Sequence, residues 1–311
     1  MKTPVGSSLL VFAVSARLVA QDPTDDPDGT IRSLRAELNA ARAELADLRE
    51  QVGASGSIVH GAVRLDLTTA YYFRGILQED QGVIAEPSIE LGWTLLEGGD
   101  IVRDVDLTFA TWNSAHSGPT GGSLGMWYES DVTAALSATL FDRLRLGTTY
   151  AVYHSPNGSF EAVQEQVVSI GIDDSGWLWD GGLAPTLLFA FELAGQADVG
   201  SKRGSYAELA IAPSLGLGNV GAHELSLGLP TRVGFGLHDY YELPGGGGNE
   251  TFGYADVGVE LTTTLPCIPH EAGEWQATIG LHYLALGDSN ETRNSGDADE
   301  WIGTFTIRTS F

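Results

Sequence analysis

The stretch Trp301-Ile302-Gly303-Thr304-Phe305-Thr306-Ile307-Arg308-Thr309-Ser310-Phe311 decides how the whole chain is read. Its odd positions are mostly apolar or aromatic, and after Ile302 its even positions are Thr304, Thr306, Arg308 and Ser310. Successive side chains of a strand point to opposite faces, so this segment has one oily face and one wet face. Its length is about that of a tilted strand crossing a bilayer, which takes roughly 9–11 residues.

The same period of two runs back through residues 57–311. Alternating segments fall at 61–74, 83–95, 103–112, 127–140, 144–154, 162–173, 184–194, 204–217, 223–238, 251–265, 274–287 and 300–311. Val132, Ala134, Leu136, Ala138 and Leu140, for example, oppose Asp131, Thr133, Ala135 and Ser137. An even strand number lets both ends of a bacterial barrel sit on the periplasmic side, and the outer connections are on average the longer ones. Backbone amides cannot stay unpaired in hydrocarbon, so a spanning sheet has to close. The expected fold is all-β: a 12-stranded antiparallel transmembrane β-barrel over 57–311, located in the outer membrane and contacting its lipid.

Rings should gather at the two membrane interfaces. Tyr71, Phe73, Tyr128, Tyr150, Tyr283 and Trp301 fall at outer strand ends, while Trp93, Trp275 and Phe311 fall at inner ends. Both sets are expected to face outward as aromatic girdles. A terminal aromatic closing an amphipathic strand also resembles the C-terminal signal of bacterial outer-membrane barrels.

Composition agrees with this reading. Hydrophobic residues make up 43% of the 311 positions, and no run of 18 apolar residues follows the N-terminus, so a helical membrane protein is not indicated. The net charge is −25, and residues 53–311 hold 10 basic against 33 acidic side chains. So acidic a region repels nucleic acid and draws in cations, unless the charge serves only to solvate loops. The single cysteine, Cys267, sits in a Pro-Cys-Ile-Pro turn, and no intramolecular disulfide can form.

Three segments precede the barrel. Residues 1–20 read as a signal peptide, with small residues before a cut at either Ala16 or Ala20. Residues 21–29 form an acidic linker. Over 30–53, Ile31, Leu34, Leu38, Ala41, Leu45, Leu48 and Val52 occupy a and d positions of a short periplasmic coiled-coil helix. That seam either docks on the following domain or self-associates into a homo-oligomer, locking a trimer or tethering the barrel to the cell wall.

The segment Tyr71-Tyr72-Phe73-Arg74-Gly75-Ile76-Leu77-Gln78-Glu79-Asp80, followed by Pro87-Ser88-Ile89-Glu90-Leu91-Gly92, resembles the TorF-type porin family. The resemblance implies an outer-membrane channel of unspecified substrate and supplies no catalytic residue. The heptad helix is untypical of that family, and the match weakens after the second strand.

By parity, the pore-lining acids are Asp66, Glu90, Asp104, Asp106, Asp131, Glu192, Glu208, Glu224, Asp256 and Glu260. The pore-lining bases are Arg64, Arg74, Arg145, Arg232 and Arg308. Two carboxylates per guanidinium favour cations, so the expected function is a porin for passive diffusion of small hydrophilic solutes, cation-preferring. Twelve strands also keep the interior narrow. Arg74 at the outer mouth either binds a passing anion or braces the wall. The acidic loop 288–300 is expected to be solvated, or to bind divalent ions. Catalysis is not expected: no GxSxG, HExxH or paired-cysteine pattern occurs, and His154 and Ser155 are adjacent, hence on opposite faces. No cofactor or metal is implied. A structural outer-membrane protein and, less favoured, an outer-membrane hydrolase stand as the alternatives.

Overall fold

A computed structural model describes residues 58–122, 124–243 and 248–311. The expected signal peptide, acidic linker and coiled-coil helix lie outside the described residues. The strands are β1 (Val59–Thr68), β2 (Tyr71–Phe73), β3 (Ile76–Glu79), β4 (Ile84–Glu97), β5 (Val102–His116), β6 (Trp127–Leu140), β7 (Leu144–His154) and β8 (Val163–Ile172). They continue as β9 (Thr186–Ala194), β10 (Ser205–Ile211), β11 (Ser214–Val220), β12 (His223–Gly228), β13 (Thr231–His238), β14 (Phe252–Thr264), β15 (Glu274–Leu286) and β16 (Asp299–Ser310). Among the described residues one α-helix, α1, spans Asp288–Arg293, and a single 3-10 turn spans His270–Ala272.

All of these strands except β2 and β3 form one antiparallel sheet. Pro213 separates β10 from β11, and Pro230 separates β12 from β13. Proline has no N–H to give the ladder, so each pair is one wall strand with a break. The wall therefore has twelve strands. It closes where β1 pairs with β16, from Ala62 opposite Ser310 to Thr68 opposite Thr304. At that seam the last residue takes part: Gly61 and Phe311 exchange backbone hydrogen bonds of 2.9 and 3.0 Å. Gly61 has to be glycine, because a Cβ there would lie 2.6 Å from the Phe311 ring and 2.7 Å from the Glu90 carbonyl oxygen.

The faces sort as alternation requires. Val63, Leu65, Leu67, Phe109, Val132, Leu136, Val257, Val259, Leu281 and Phe305 are exposed on the outer surface. Ile89 and Ile279, each in mid-strand, are 54% and 58% exposed, which a water-soluble barrel would not leave in a continuous belt. The tightest apolar packing lies inside the barrel instead, where Tyr206, Tyr240, Tyr241, Tyr254, Leu284 and Leu286 cluster.

Two expectations about the first strands are corrected. The segment 61–74 is not one strand, because β1 ends at Thr68 and the chain turns back as the hairpin β2–β3. Tyr71 and Phe73 therefore face the lumen and line its cavity, and are not girdle residues. Tyr128 is also internal. A bulge opposite Ser114 and Ala115 shifts the register of β6, leaving Trp127 outside while Tyr128 stacks on His116 with centroids 4.4 Å apart. Tyr150, Trp301 and Phe311 are exposed, Tyr283 packs on Trp301 at 5.0 Å, Trp93 packs on Phe109 at 6.0 Å, and Trp275 donates to the Ala272 carbonyl.

Candidate pore and its internal plug

The hairpin β2–β3 turns at Arg74-Gly75, whose φ angles are 49° and 82°. Two left-handed residues between paired strands make a tight hairpin turn whose twist matches the strands. Gly75 is needed for space as well, since a Cβ would meet the Asn290 amide nitrogen at 2.4 Å.

The tip of this hairpin reaches across the barrel. Counting around the wall from β1, β8 is the sixth of the twelve strands, almost opposite. Arg74 donates from Nη1 to Glu165 Oε1 at 2.7 Å and from Nη2 to Oε2 at 2.8 Å, and Glu165 lies on β8. Nη1 also donates to the Tyr240 hydroxyl at 2.9 Å, and the guanidinium lies 4.3 Å from the centre of the Tyr206 ring. Burial works against the charge on Arg74, but Tyr240 and Glu165 more than offset it, and the group stays protonated. The Arg74 carbonyl accepts bonds from the Tyr241 hydroxyl and the Asn290 amide, while Asn294 bonds the backbone of Gly75 and Leu77. Arg74 therefore braces, and its charge is spent within the protein.

Segments 239–242 and 288–294 close over the hairpin. The loop expected to be solvated at 288–300 instead begins with α1, whose Ser289 and Asn290 are buried. Glu79, at the end of β3, ties the hairpin to the loop after β5. Burial raises its carboxyl, but hydrogen bonds from the Thr120 hydroxyl and from the N–H groups of Thr120, Gln81 and Asp80 outweigh that. Glu79 thus titrates below the usual glutamate value.

Beneath the plug is a cavity of about 790 Å³ whose wall includes Arg64, Asp66, Asp131, Glu208, Arg232, Asp256 and Glu260. Nearer the end of the wall where β1 begins, a second space of about 760 Å³ is bordered by Glu90, Asp104, Asp106 and Arg145. Arg308 is inward by register, opposite Arg64 and Gln276. Glu192 lies opposite Glu165, and its carboxylate accepts the N–H groups of Ala197 and Gly204, so it anchors a loop. Several cavity groups pair with one another. Arg64 meets Asp66 at 2.6 Å, Arg232 meets Asp256 at 2.8 Å, and His282 lies between Asp256 and Glu260 at 3.0 and 3.4 Å.

Sequence reasoning missed Glu86, Trp112, Glu129, Glu165 and His282. Glu86 shares the parity of Glu90, and Glu129 that of Asp131, so both were within reach of the alternation rule. Glu165 was not, because it shares its face with Val163 and Val167, while Gln164 and Gln166 occupy the outer one.

A hydrolase-like contact does occur. Ser114 Oγ lies 2.8 Å from His116 Nε2, and His116 Nδ1 lies 2.6 Å from the Thr120 hydroxyl. Both Ser114 and His116 are fully buried, under Tyr128, so no substrate carbonyl can approach the hydroxyl. The trio is a packing element of the plug rim.

The fold and lumen together define a class: a closed twelve-stranded barrel turned inside out, with an inward hairpin across one end. No family model matches the chain, so the TorF-type resemblance has no support beyond the quoted residues; no curated protein matches either. Similar solved structures include an outer-membrane channel from Pseudomonas putida F1, at 15% identity, 81% coverage of this chain and 95% of that one, and a TM-score of 0.42. The NanC porin is similar at 12% identity, 81% and 98% coverage and a TM-score of 0.40. The translocator domain of the autotransporter NalP from Neisseria meningitidis is similar at 12% identity, 88% and 98% coverage and a TM-score of 0.38. At such similarity, the geometry of this chain itself has to carry its function.

Proposed function

We propose that this protein is a narrow outer-membrane channel for small hydrophilic solutes, preferring cations, with its termini on the periplasmic side. The observation that carries the reading is the inversion of the barrel: an exposed aliphatic belt outside, and charged, partly empty chambers inside. Ten carboxylates and five guanidinium groups line the two chambers, an imbalance that gives the lumen a negative potential. The hairpin across the outer mouth makes this a restricted conduit rather than a wide sieve. Refolded protein in planar bilayers, bathed by a KCl gradient, should show a reversal potential of the sign set by K⁺ selectivity. Anion selectivity, or no conductance from verified folded barrels, would refute the proposal.

A structural role for residues 30–53, as an assembly or tethering device, is the second reading, favoured by their unbroken heptad seam. Deleting 22–56 separates the two. Loss of the oligomer with conductance retained supports assembly, whereas envelope detachment with the oligomer intact supports a tether.

A further inference from the structure

On one arc of the cavity wall, carboxylates outnumber their partners. Asp66 is paired with Arg64 and Glu165 with Arg74. Two neighbours in the wall, Glu86 and Asp131, and Glu129 buried behind them, have no cation within salt-bridge reach among the described residues. Register puts them side by side: Glu86 pairs with Asp66 across β1 and β4, Glu129 pairs with Ser114 across β5 and β6, and Asp131 pairs with Trp112. Glu129 accepts a hydrogen bond from the Tyr71 hydroxyl at 2.9 Å. Asp131 is only 9% exposed, yet it borders the cavity, and its Oδ1 has no hydrogen-bond partner. An ionised carboxylate that is nine-tenths buried with no cation beside it is costly, and either a proton or a bound cation relieves it.

The neighbouring surface narrows the chemistry of that occupant. The Trp112 indole lies in the cavity wall between Ser88 and Asp131, with the Tyr71 ring 5.3 Å from it. Among the described residues, no three acidic, histidine or cysteine side chains converge closely enough to coordinate a metal ion. Spread carboxylates beside an aromatic face suit a larger, softer cation, whose ammonium groups meet the acids while its carbons and charge lie against the ring. A space of about 790 Å³ accommodates a short aliphatic polyamine.

We propose that the arc formed by Glu86, Trp112 and Asp131, with Glu129 buried behind it, is a binding site for organic ammonium ions, with polyamines as the substrate class. The inference rests on the lumen being a solute path, and it deepens that reading by naming the solute.

The test uses the full chain refolded in detergent and in planar bilayers, with spermidine as the probe. Spermidine should reduce the K⁺ current reversibly, and tryptophan fluorescence in micelles should titrate with the same midpoint. In Glu86→Gln/Asp131→Asn the midpoint should rise at least tenfold, and in Trp112→Leu severalfold. Butane-1,4-diol should not compete. Equal midpoints in wild type and the double variant would overturn the inference, as would Mg²⁺ displacing spermidine at equal concentration. If the double variant fails to give the heat-modifiable folded band, Glu86→Gln alone decides, with a threefold rise expected and no change refuting. A barrel that binds spermidine without conducting would refute the channel reading and leave the site standing. A cation-selective channel indifferent to spermidine would do the reverse.

Discussion

Replacing Arg74 with alanine should release the hairpin from the barrel interior. The guanidinium makes two charged hydrogen bonds to Glu165 and one to Tyr240, and it lies over the Tyr206 ring. Its removal leaves the Glu165 side chain, which has no solvent exposure, with the Tyr153 hydroxyl at 2.8 Å as its one remaining side-chain donor among the described residues. Truncating one partner of a buried ion pair costs about 3–5 kcal/mol, most of it the stranded charge. At about 1.4 kcal/mol per decade, the balance between docked and undocked hairpin shifts by a hundredfold to a few thousandfold. Because the hairpin starts at β1 and is held near β8, undocking clears most of a diameter. Single-channel recordings of Arg74→Ala should show larger or longer-lived open levels than wild type. Limited chymotrypsin treatment of the folded protein should newly cut at Tyr71–Phe73. Arg74→Ala/Glu165→Gln, which removes the stranded charge as well, should recover much of the closed behaviour. Arg74→Lys should fall between, since an ammonium cannot make the forked contact. Wild-type currents and intact protease resistance in Arg74→Ala would refute the view of Arg74 as the latch.

Three further outcomes follow from other parts of the molecule. The Glu79 carboxyl is depressed in the folded protein, so its contribution is complete above the unfolded value of about 4.3 and disappears as pH falls through the lower folded value. Loop proteolysis in wild type should therefore increase steeply only in that acidic window, and Glu79→Gln should remove the step; an unchanged step in the variant would exclude Glu79. On the outer belt, Leu281→Arg should lower the refolding free energy in lipid vesicles by about 2–4 kcal/mol if that face meets hydrocarbon, while inward Gln276→Arg should cost far less. Equal effects at both positions would contradict the inversion. Ser114 should remain unlabelled by a fluorophosphonate probe in the folded barrel, because the hydroxyl is buried beside His116; stoichiometric labelling would reopen the hydrolase reading.

The wall was legible from the sequence because one physical rule governs it: a strand with lipid on one side and water on the other has to alternate. The breaks at Pro213 and Pro230 apart, eleven of the twelve segments fall where the alternation puts them, and the first stops short, at Thr68. The plug was not legible, because alternation reports only that two faces differ and not which medium each one meets. Tyr71-Tyr72-Phe73 continues the pattern of β1 in sequence while its rings face the lumen, and only the Arg74-Gly75 pair hints at a turn. Tyrosine is the residue that blurs this line. At a membrane interface it offers a ring to lipid and a hydroxyl to water, and inside a barrel the same ring fills space while the hydroxyl satisfies a buried acid. Tyr71 does this for Glu129, Tyr153 for Glu165, and Tyr206 and Tyr254 for Glu208. Where inward acids and tyrosines recur together near one end of a barrel, the rings therefore mark a filled lumen, and the girdle has to be sought among residues whose face carries no acid. Tyr283 and Trp301 meet that condition toward the middle of the wall, where Leu281 and Gly303 flank them; the acid of that face, Asp299, sits at the outer end of β16, opposite Ala285.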